Sequence, residues 1–189
     1  MALAAIPDAL AMQLYYATRD GQSRRIAERI AGRVAATGLE ARLADLAEAL
    51  PAPRELAGRT PVVLVAAVRY GRHLPEARRF LAVYRALAAP PPLVLLSVNL
   101  TARKPGKDGP ERNPYLRKLI RRHRLRPVLA RAIAGRLDYP RYDWFDREAI
   151  RLIMVITGGP TDPRASVEFT AWSQVDDIAT EIARLCARA

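Results

Sequence analysis

Two short and continuous apolar runs do most to limit the folds open to this chain. They are PVVLVAAV at 61–68 and PPPLVLLSV at 90–98. Neither run alternates apolar with polar residues, as a strand with one face in solvent would. Strands that are apolar on both faces are typical of parallel sheets covered by helices on both sides. The two runs therefore predict the central strands of an α/β domain.

The segments around these runs supply the rest of such a domain. Ile26, Ile30 and Val34 recur at a spacing of four residues, which predicts a helix over 22–37. Strands alternating with helices indicate a doubly wound parallel sheet. The other predicted helices are 75–88, a basic one at 113–123 (NPYLRKLIRRH) and 171–186. The other predicted strands are 12–17, 39–46, 128–137 (the fifth strand) and a short one at 167–170.

The length of the chain, 189 residues, favours one domain. We expect this domain to span 12–186 and to follow a loose extension at 1–11, with either Met1 or Met12 as the first residue. Half of the residues are apolar, which argues against disorder. Cys186 is the single cysteine, so an internal disulfide and a cysteine-based metal site are excluded.

The charge of the chain is concentrated in one region. The net charge is +12, and residues 101–151 hold 15 Arg and Lys against 6 Asp and Glu, a net of +9. The sequence thus predicts a long basic insertion, at about 101–166, near the fifth strand. Solvated arginines would explain this excess, and so would a surface that meets anionic lipid, nucleic acid or an acidic substrate.

The loop after the first strand, Thr18–Ser23 (TRDGQS), has two interpretations. In the first, Asp20 or Ser23 simply caps the following helix. Alternatively, the hydroxyls of Thr18 and Ser23 and the backbone N–H groups between them surround a phosphate, because helix N-termini attract anions. The loop matches neither GxxxxGK[ST] nor GxGxxG, which disfavours a P-loop NTPase and a dinucleotide-binding fold.

Two further loops end at the same predicted edge of the sheet. Arg69, Tyr70 and Gly71 follow the third strand, and Ser97–Leu100 (SVNL) follows the fourth. In open α/β sheets, ligands bind outside the carboxyl ends of the strands. His73 and His123 lack partners at metal-binding spacing, so no metal site is predicted. The pattern points to the chemistry of a bound cofactor rather than to a protein nucleophile.

With these residues assembled, the chain resembles the flavodoxin-like, quinone-dependent bacterial protoporphyrinogen oxidases. The resemblance runs in order over about 12–186. The pairing of SVNL-x-ARKP with YPRY-x-W-x-D separates this family from ordinary flavodoxins. The matching stretches are ATRDGQS (17–23), VRYG (68–71), SVNLTARKP (97–105), NPYLRK (113–118), AGRLDYPRYDWFD (134–146), RLIMVITGGPTDPR (151–164) and AW (171–172).

The resemblance implies a five-stranded flavodoxin-like fold that binds FMN without a covalent bond. It implies oxidation of protoporphyrinogen IX to protoporphyrin IX in haem biosynthesis, with menaquinone or ubiquinone as acceptor. It also implies a peripheral location on the cytoplasmic face of the bacterial inner membrane. Carried over by position, the FMN-binding residues are Thr18, Arg19, Asp20, Gly21, Gln22, Ser23, Arg69, Tyr70, Gly71, Ser97, Val98, Asn99, Leu100, Thr161 and Asp162.

The basic insertion is expected to contact the substrate or the membrane. Guanidinium groups match carboxylate geometry, so Arg103, Arg136 and Arg141 are candidates for the substrate propionates or for lipid phosphate. Trp144 is a candidate for the membrane interface. The apolar run 150–156 is too short to span a bilayer, which needs about 20 residues, and either packs in the core or lies at the interface.

Three other functions compete with the oxidase. A flavodoxin-type electron carrier would normally be acidic and lack the insertion. An NAD(P)H:quinone reductase would need a nicotinamide site, and none is legible. A nucleic-acid-binding protein could use the basic residues at 112–126, but no nucleic-acid module surrounds them, so no nucleic-acid partner is expected. The sequence allows a homo-oligomer without predicting one.

Overall fold

The computed structural model describes residues 11–141, 151, 155, 162, 164 and 166–188. Five parallel strands form a sheet in the order β2-β1-β3-β5-β6, and a short strand, β4, pairs antiparallel with β3. This confirms the predicted doubly wound, five-stranded fold. The strands are β1 Met12–Ala17, β2 Ala41–Asp45, β3 Val62–Arg69, β4 Arg72–His73, β5 Leu93–Val98, β6 Leu129–Ile133, β7 Arg136–Asp138 and β8 Ser166–Glu168.

In the continuously described segments, four helices cover the two faces of the sheet. They are α1 Gln22–Ala35, α2 Pro75–Ala86, α3 Pro114–Arg122 and α4 Trp172–Cys186. Short 3₁₀ helices occupy Pro53–Leu56, Leu100–Arg103 and Tyr139–Arg141. Each main helix lies at a position where the sequence shows apolar periodicity. The helix bounds differ from the predicted ones by one or two residues.

Two apolar cores hold the layers together, one on each face of the sheet. One core packs α2 and α3 against the sheet through side chains such as Phe80 and Leu116, and the other packs α1 and α4 through Ile30 and Ile182. All four of these side chains are fully buried, and burial of each stabilises the fold by about 1.5–3 kcal/mol. The continuous apolar runs are thus explained by helices on both sides.

The predicted fifth strand at 128–137 is wrong in extent. β6 leaves the sheet after Ile133, and β7 pairs antiparallel with β8 in a separate two-stranded sheet. The main-chain N–H of Phe169 donates to the Gly135 carbonyl, which draws this part of the chain away from β5. The two-stranded sheet closes one side of the region at the carboxyl ends of the strands.

The strand order decides where a ligand can bind. β1, β3 and β5 are adjacent and parallel, so the loops that follow them meet at one edge of the sheet. Those loops begin at Thr18, Tyr70 and Asn99. No helix in the described part of the chain is long and apolar enough to cross a membrane.

Candidate active site

The loop between β1 and α1 is stabilised by its own threonine. The Thr18 hydroxyl accepts a hydrogen bond from the Gly21 N–H at 3.0 Å, and Gly21 is left-handed with φ +84°. A Cβ atom at Gly21 would meet nothing within 4 Å, so glycine is needed for its backbone conformation and the space in front of it is open. No side chain of the described residues caps α1, so the helix-cap interpretation of Asp20 and Ser23 is wrong.

Ser23 is the second residue of α1 and carries an unusual hydroxyl. It is 1% exposed, and its Oγ has no hydrogen-bond partner among the residues that the structure describes. Leaving such a group unsatisfied costs about 1–3 kcal/mol. Ser23 lines a cavity at the start of α1, where unpaired N–H groups and the helix dipole favour an anion. The position suits a phosphate oxygen.

Asp20 forms an ion pair across the loops. The Arg69 guanidinium donates to both Asp20 carboxylate oxygens, at 3.1 and 2.9 Å. The Arg69 side chain is largely buried, while the Asp20 side chain is 36% exposed. This pair ties the phosphate-side loop to the end of β3. It also neutralises a carboxylate that would otherwise repel an anion bound beside it.

Tyr70 and Gly71 form the turn between β3 and β4. Both have positive φ, 49° for Tyr70 and 71° for Gly71, as in a type I′ turn. Such a conformation costs a residue other than glycine about 1–2 kcal/mol. It leaves the Tyr70 ring 55% exposed, beside the Arg69 guanidinium. An exposed aromatic ring in strained backbone is a candidate contact for a planar ligand.

A buried polar network lies beneath these loops. His73 Nε2 is 2.8 Å from Ser97 Oγ, and the Asn99 side chain donates to the same Ser97 oxygen. Asn113 donates to Asn99 Oδ1 and to the Lys107 carbonyl. This network joins the end of β5 to the start of α3. Burial, together with the positive charges of His123 and Arg78, lowers the pKa of His73 to about 4.

The three loops surround one main cavity of about 200 Å³. Of the predicted cofactor residues that the structure describes, three do not line it: Gly21 contributes backbone to the loop, Ser97 is fully buried in the polar network, and Asp162 lies elsewhere. The predicted residues that do line the cavity are Thr18, Arg19, Asp20, Gln22, Ser23, Arg69, Tyr70, Gly71, Val98, Asn99 and Leu100, and from the insertion Arg103 and Arg136.

Several other predicted residues lie elsewhere or cannot be placed. Asp162 is exposed and accepts a hydrogen bond from the Arg164 N–H. Thr161, Trp144 and the Arg141 side chain lie outside the described residues, as does most of the run 150–156. Among the described residues, no group of three or more His, Cys, Asp or Glu could hold a metal ion.

Sequence reasoning missed part of the cavity wall. Tyr115 lines the cavity from the first turn of α3, and Lys104 lines it from the end of a 3₁₀ helix. The NPYLRK stretch carried a signal for Tyr115, since Asn113 and Pro114 mark a helix start. Gly135 and Asp138 gave no signal, because their approach to the cavity depends on the chain leaving the main sheet. Thr101 also lines the cavity.

The start of α1 is joined to the chain that follows the insertion. The Gln22 side chain donates to Glu168 Oε1 at 2.6 Å and to Thr170 Oγ1 at 2.8 Å. Arg25 pairs with Glu168 at 2.9 Å. Burial alone would raise the pKa of Glu168, but the hydrogen bonds from Thr170, Arg25 and Gln22 outweigh it and lower that pKa. The phosphate-side loop and the two-stranded sheet are therefore held as one unit.

Comparison with known proteins agrees with this geometry. Residues 13–164 match the flavodoxin domain family. Flavodoxin 1 from Bacillus cereus superposes with a TM-score of 0.53 at 11% identity, covering 94% of this chain and 97% of that one. Rubredoxin oxygen:oxidoreductase from Desulfovibrio gigas gives a TM-score of 0.58 at 11% identity, and this chain spans 36% of its length. Fold and loops define a flavodoxin-domain protein, which implies a flavin cofactor.

Two curated relatives are more informative because their sequences are close. Protoporphyrinogen IX dehydrogenase [quinone] of Escherichia coli K12 is 40% identical over 91% of this chain and 94% of its own length. The protein of the same name from Leishmania major is 34% identical over 91% of this chain and 74% of its own length. The chain belongs to the family of quinone-dependent protoporphyrinogen IX dehydrogenases, as the resemblance predicted.

Proposed function

We propose that this chain is an FMN-dependent oxidoreductase that converts protoporphyrinogen IX to protoporphyrin IX and passes the electrons to a membrane quinone. The names of its relatives supply the substrate and the acceptor class. The observation that carries the proposal within this chain is the main cavity, where three strand-end loops meet beside the unpartnered hydroxyl of Ser23. Haem biosynthesis is the corresponding pathway.

The residues at the cavity fit the phosphate of FMN. Ser23 Oγ is buried and has no partner among the residues described, and the space in front of Gly21 is open. The Thr18 hydroxyl accepts from the Gly21 N–H, which leaves its own proton free to be donated. We therefore assign the phosphate to the loop 18–23 and the flavin ring to the region between Arg69–Gly71 and Val98–Leu100.

A flavin bound in this cavity would accept a hydride equivalent from a carbon donor and release the electrons to a quinone. The residues of the chain orient the reactants and exclude water. Tyr70 offers an exposed ring at one side of the cavity, while Asn99 is fixed in position by Ser97 and Asn113. His73 is buried and, with a pKa of about 4, neutral at pH 7. It therefore places no charge near the flavin ring.

The membrane partner is also part of this proposal. The basic insertion would hold the enzyme at the cytoplasmic surface of the inner membrane, where menaquinone or ubiquinone is available. Each exposed Lys or Arg near an anionic membrane surface adds about 1 kcal/mol of attraction. Binding to vesicles of phosphatidylglycerol should therefore weaken as salt is added. If the protein does not bind such vesicles at low salt, the proposed membrane location is wrong.

Anaerobic mixing tests the reaction directly. Protein reconstituted with FMN should lose its oxidised-flavin absorbance on addition of protoporphyrinogen IX, and a quinone should restore it. NADH should not bleach the flavin. Bleaching by NADH alone would instead identify a nicotinamide-dependent quinone reductase, and reduction only by a partner protein would identify an electron carrier.

A variant and its control connect the reaction to the cavity. Ser23→Ala should lower FMN retention and with it the rate at limiting FMN, because a hydrogen bond to phosphate is lost. Ser173→Ala is the matched control, since Ser173 is the second residue of α4 and is exposed. Equal FMN retention by both variants would contradict the assignment of the phosphate to this loop.

A further inference from the structure

A cluster of four cations lies on the side of the β3–β4 turn opposite the phosphate-side loop. Arg72 belongs to β4, Arg78 to α2, and Lys118 and Arg122 to α3. They line a cavity of about 140 Å³ together with His73, Leu119 and Tyr115. We call these four residues the basic cluster and this space the basic cavity. Since a water occupies about 30 Å³ in the liquid, the cavity has room for a carboxylate with some water.

The positive charge of the basic cluster is not compensated. Within the residues that the structure describes, none of its four members forms an ion pair, and no acidic residue lines the basic cavity. The Nε atom of Arg78 is buried and has no hydrogen-bond partner in the described part of the chain. A buried guanidinium N–H without a partner is costly, so a group that accepts hydrogen bonds and carries negative charge would stabilise the cluster.

The lowered pKa values of two histidines reflect the same excess of positive charge. Burial lowers the pKa of His73, and His123 and Arg78 lower it further. Burial likewise lowers the pKa of His123, with added contributions from Arg122, Arg85 and Arg78. Both shifts have the sign expected where several cations lie close together.

The basic cavity adjoins the main cavity. Gly71 and Tyr115 line both. A third cavity, of about 430 Å³, passes around the other side of the turn and shares Arg69 and Tyr70 with the main cavity and Arg72 and Arg78 with the basic cavity. A ligand that lies beside Tyr70, at the mouth of the main cavity, could therefore extend charged arms into the basic cluster.

Two of the three arginines considered from sequence, Arg103 and Arg136, already have partners. Arg103 donates to the Leu100 carbonyl and lies over the Phe169 ring. Arg136 pairs with Asp138 at 3.1 Å and donates to Ser166. Binding a carboxylate would have to displace these contacts, whereas the basic cluster needs no such exchange.

We propose that the basic cluster binds the propionate carboxylates of the porphyrinogen while its macrocycle lies beside Tyr70, outside the flavin that fills the main cavity. This inference rests on the proposed function and adds the residues that recognise the substrate. A porphyrinogen is a large ring with a pair of carboxylates at one edge, which matches the exposed Tyr70 ring next to a cationic cavity. The basic cluster thus determines specificity for carboxylated porphyrinogens.

The test compares two double variants of the full-length, FMN-loaded protein in detergent with a soluble quinone. Arg78→Gln/Arg122→Gln removes two cluster charges. Arg79→Gln/Arg121→Gln removes two charges from the same helices at exposed positions that do not line these cavities. We expect the cluster variant to raise the KM for protoporphyrinogen IX by about tenfold or more, with a smaller change in kcat. The control pair should stay within about twofold of the parent protein.

The dimethyl ester of protoporphyrinogen IX separates charge recognition from general damage. With the ester, the parent protein and the cluster variant should have the same KM, because no carboxylate is present. Arg78→Lys/Arg122→Lys should restore part of the affinity for the free acid. If the cluster variant matches the control pair in KM for the free acid, with equal FMN content and circular dichroism, the inference is overturned.

A replacement variant and two further measurements cover the remaining outcomes. If Arg78→Gln/Arg122→Gln fails to fold, Arg72→Gln/Lys118→Gln, at exposed positions, takes its place in the same assay. If the cluster variant loses binding to phosphatidylglycerol vesicles while its KM is unchanged, the cluster binds lipid phosphate and the inference is wrong. If the parent protein oxidises no porphyrinogen, the proposed function fails; fluorescence titration with protoporphyrin IX and its dimethyl ester then tests the cluster by itself.

Discussion

The loop 18–23 and the basic cluster, which both adjoin the Tyr70–Gly71 turn, differ in the groups that they offer to an anion. On one side, the loop 18–23 is held in place by the Thr18–Gly21 hydrogen bond and by the Asp20–Arg69 ion pair. Its buried Ser23 hydroxyl has no partner among the described residues. On the other side, the basic cluster presents four cations that form no ion pair with the described residues.

The difference indicates how each side would bind. A loop built from backbone N–H groups and a hydroxyl is already in place before the ligand arrives, so little ordering is needed. A cluster of long cationic side chains must be ordered by its ligand and is screened by salt. The first arrangement suits a cofactor that stays bound, and the second suits a substrate that must leave after each turnover.

The largest expected effect concerns the polar network under the basic cluster and depends on pH. The pKa of His73 is lowered from 6.5 to about 4 in the folded protein, so between these values the unfolded chain binds a proton that the folded chain does not. Stability contributed by neutral His73 is therefore complete above pH 6.5 and lost as the pH falls towards 4. The total loss amounts to about 3 kcal/mol.

Urea unfolding of the protein at several pH values, compared with His73→Asn, measures this effect. The variant should lose less stability than the parent protein between pH 6.5 and 4, since its side chain does not titrate. Acidic groups with lowered pKa, such as Glu168, titrate in both proteins and cancel in the comparison. Identical pH profiles would show that His73 is not held neutral by its surroundings.

Ser23→Ala should have the next largest effect, on the phosphate side. The dissociation constant for FMN should rise by about 10- to 100-fold, because a hydrogen bond to a charged group contributes about 1.5–3 kcal/mol. The FMN-free protein should be as stable as the parent protein or about 1 kcal/mol more stable, since a buried unsatisfied hydroxyl is removed. Fluorescence titration and urea unfolding measure the two quantities, with Ser173→Ala as control.

Added salt should weaken substrate binding more than FMN binding, by a several-fold difference that is smaller than the effects above. Raising the ionic strength from about 0.1 to about 1 M shortens the Debye length from about 10 to about 3 Å. The KM for protoporphyrinogen IX should rise more steeply with salt than the dissociation constant for FMN. Parallel salt dependences would mean that the two sides bind by similar electrostatics, contrary to the comparison drawn above.

The smallest effect is expected at Tyr70 itself. Tyr70→Gly relieves a left-handed backbone, worth about 1 kcal/mol, and loses a contact with Arg69 worth about 0.5 kcal/mol. The FMN-free protein should therefore gain a few tenths of a kcal/mol in urea unfolding. FMN affinity should fall because an exposed ring is removed from the cavity. A variant that is destabilised by more than 1 kcal/mol would show that Tyr70 is not strained.

The fold and the three strand-end loops could be predicted because their signals are local. The apolar runs at 61–68 and 90–98 specify strands buried on both faces, and the spacing of Ile26, Ile30 and Val34 specifies a covering helix. Parallel strands end at the same edge, so the loops could be brought together without coordinates. The extent of β6 and the position of Ser97 could not be predicted, since each depends on contacts with distant residues.

The sequence by itself determined the architecture, the family and the loop that suits a phosphate, because periodicity and short motifs act over a few neighbouring residues. The tertiary structure alone decided which polar groups are already paired. It placed Asp20 on Arg69, left Ser23 Oγ without a described partner, and gathered Arg72, Arg78, Lys118 and Arg122 around one cavity. Pairing is a property of distance in space, and residues far apart in the chain become neighbours only when the sheet and its helices are assembled.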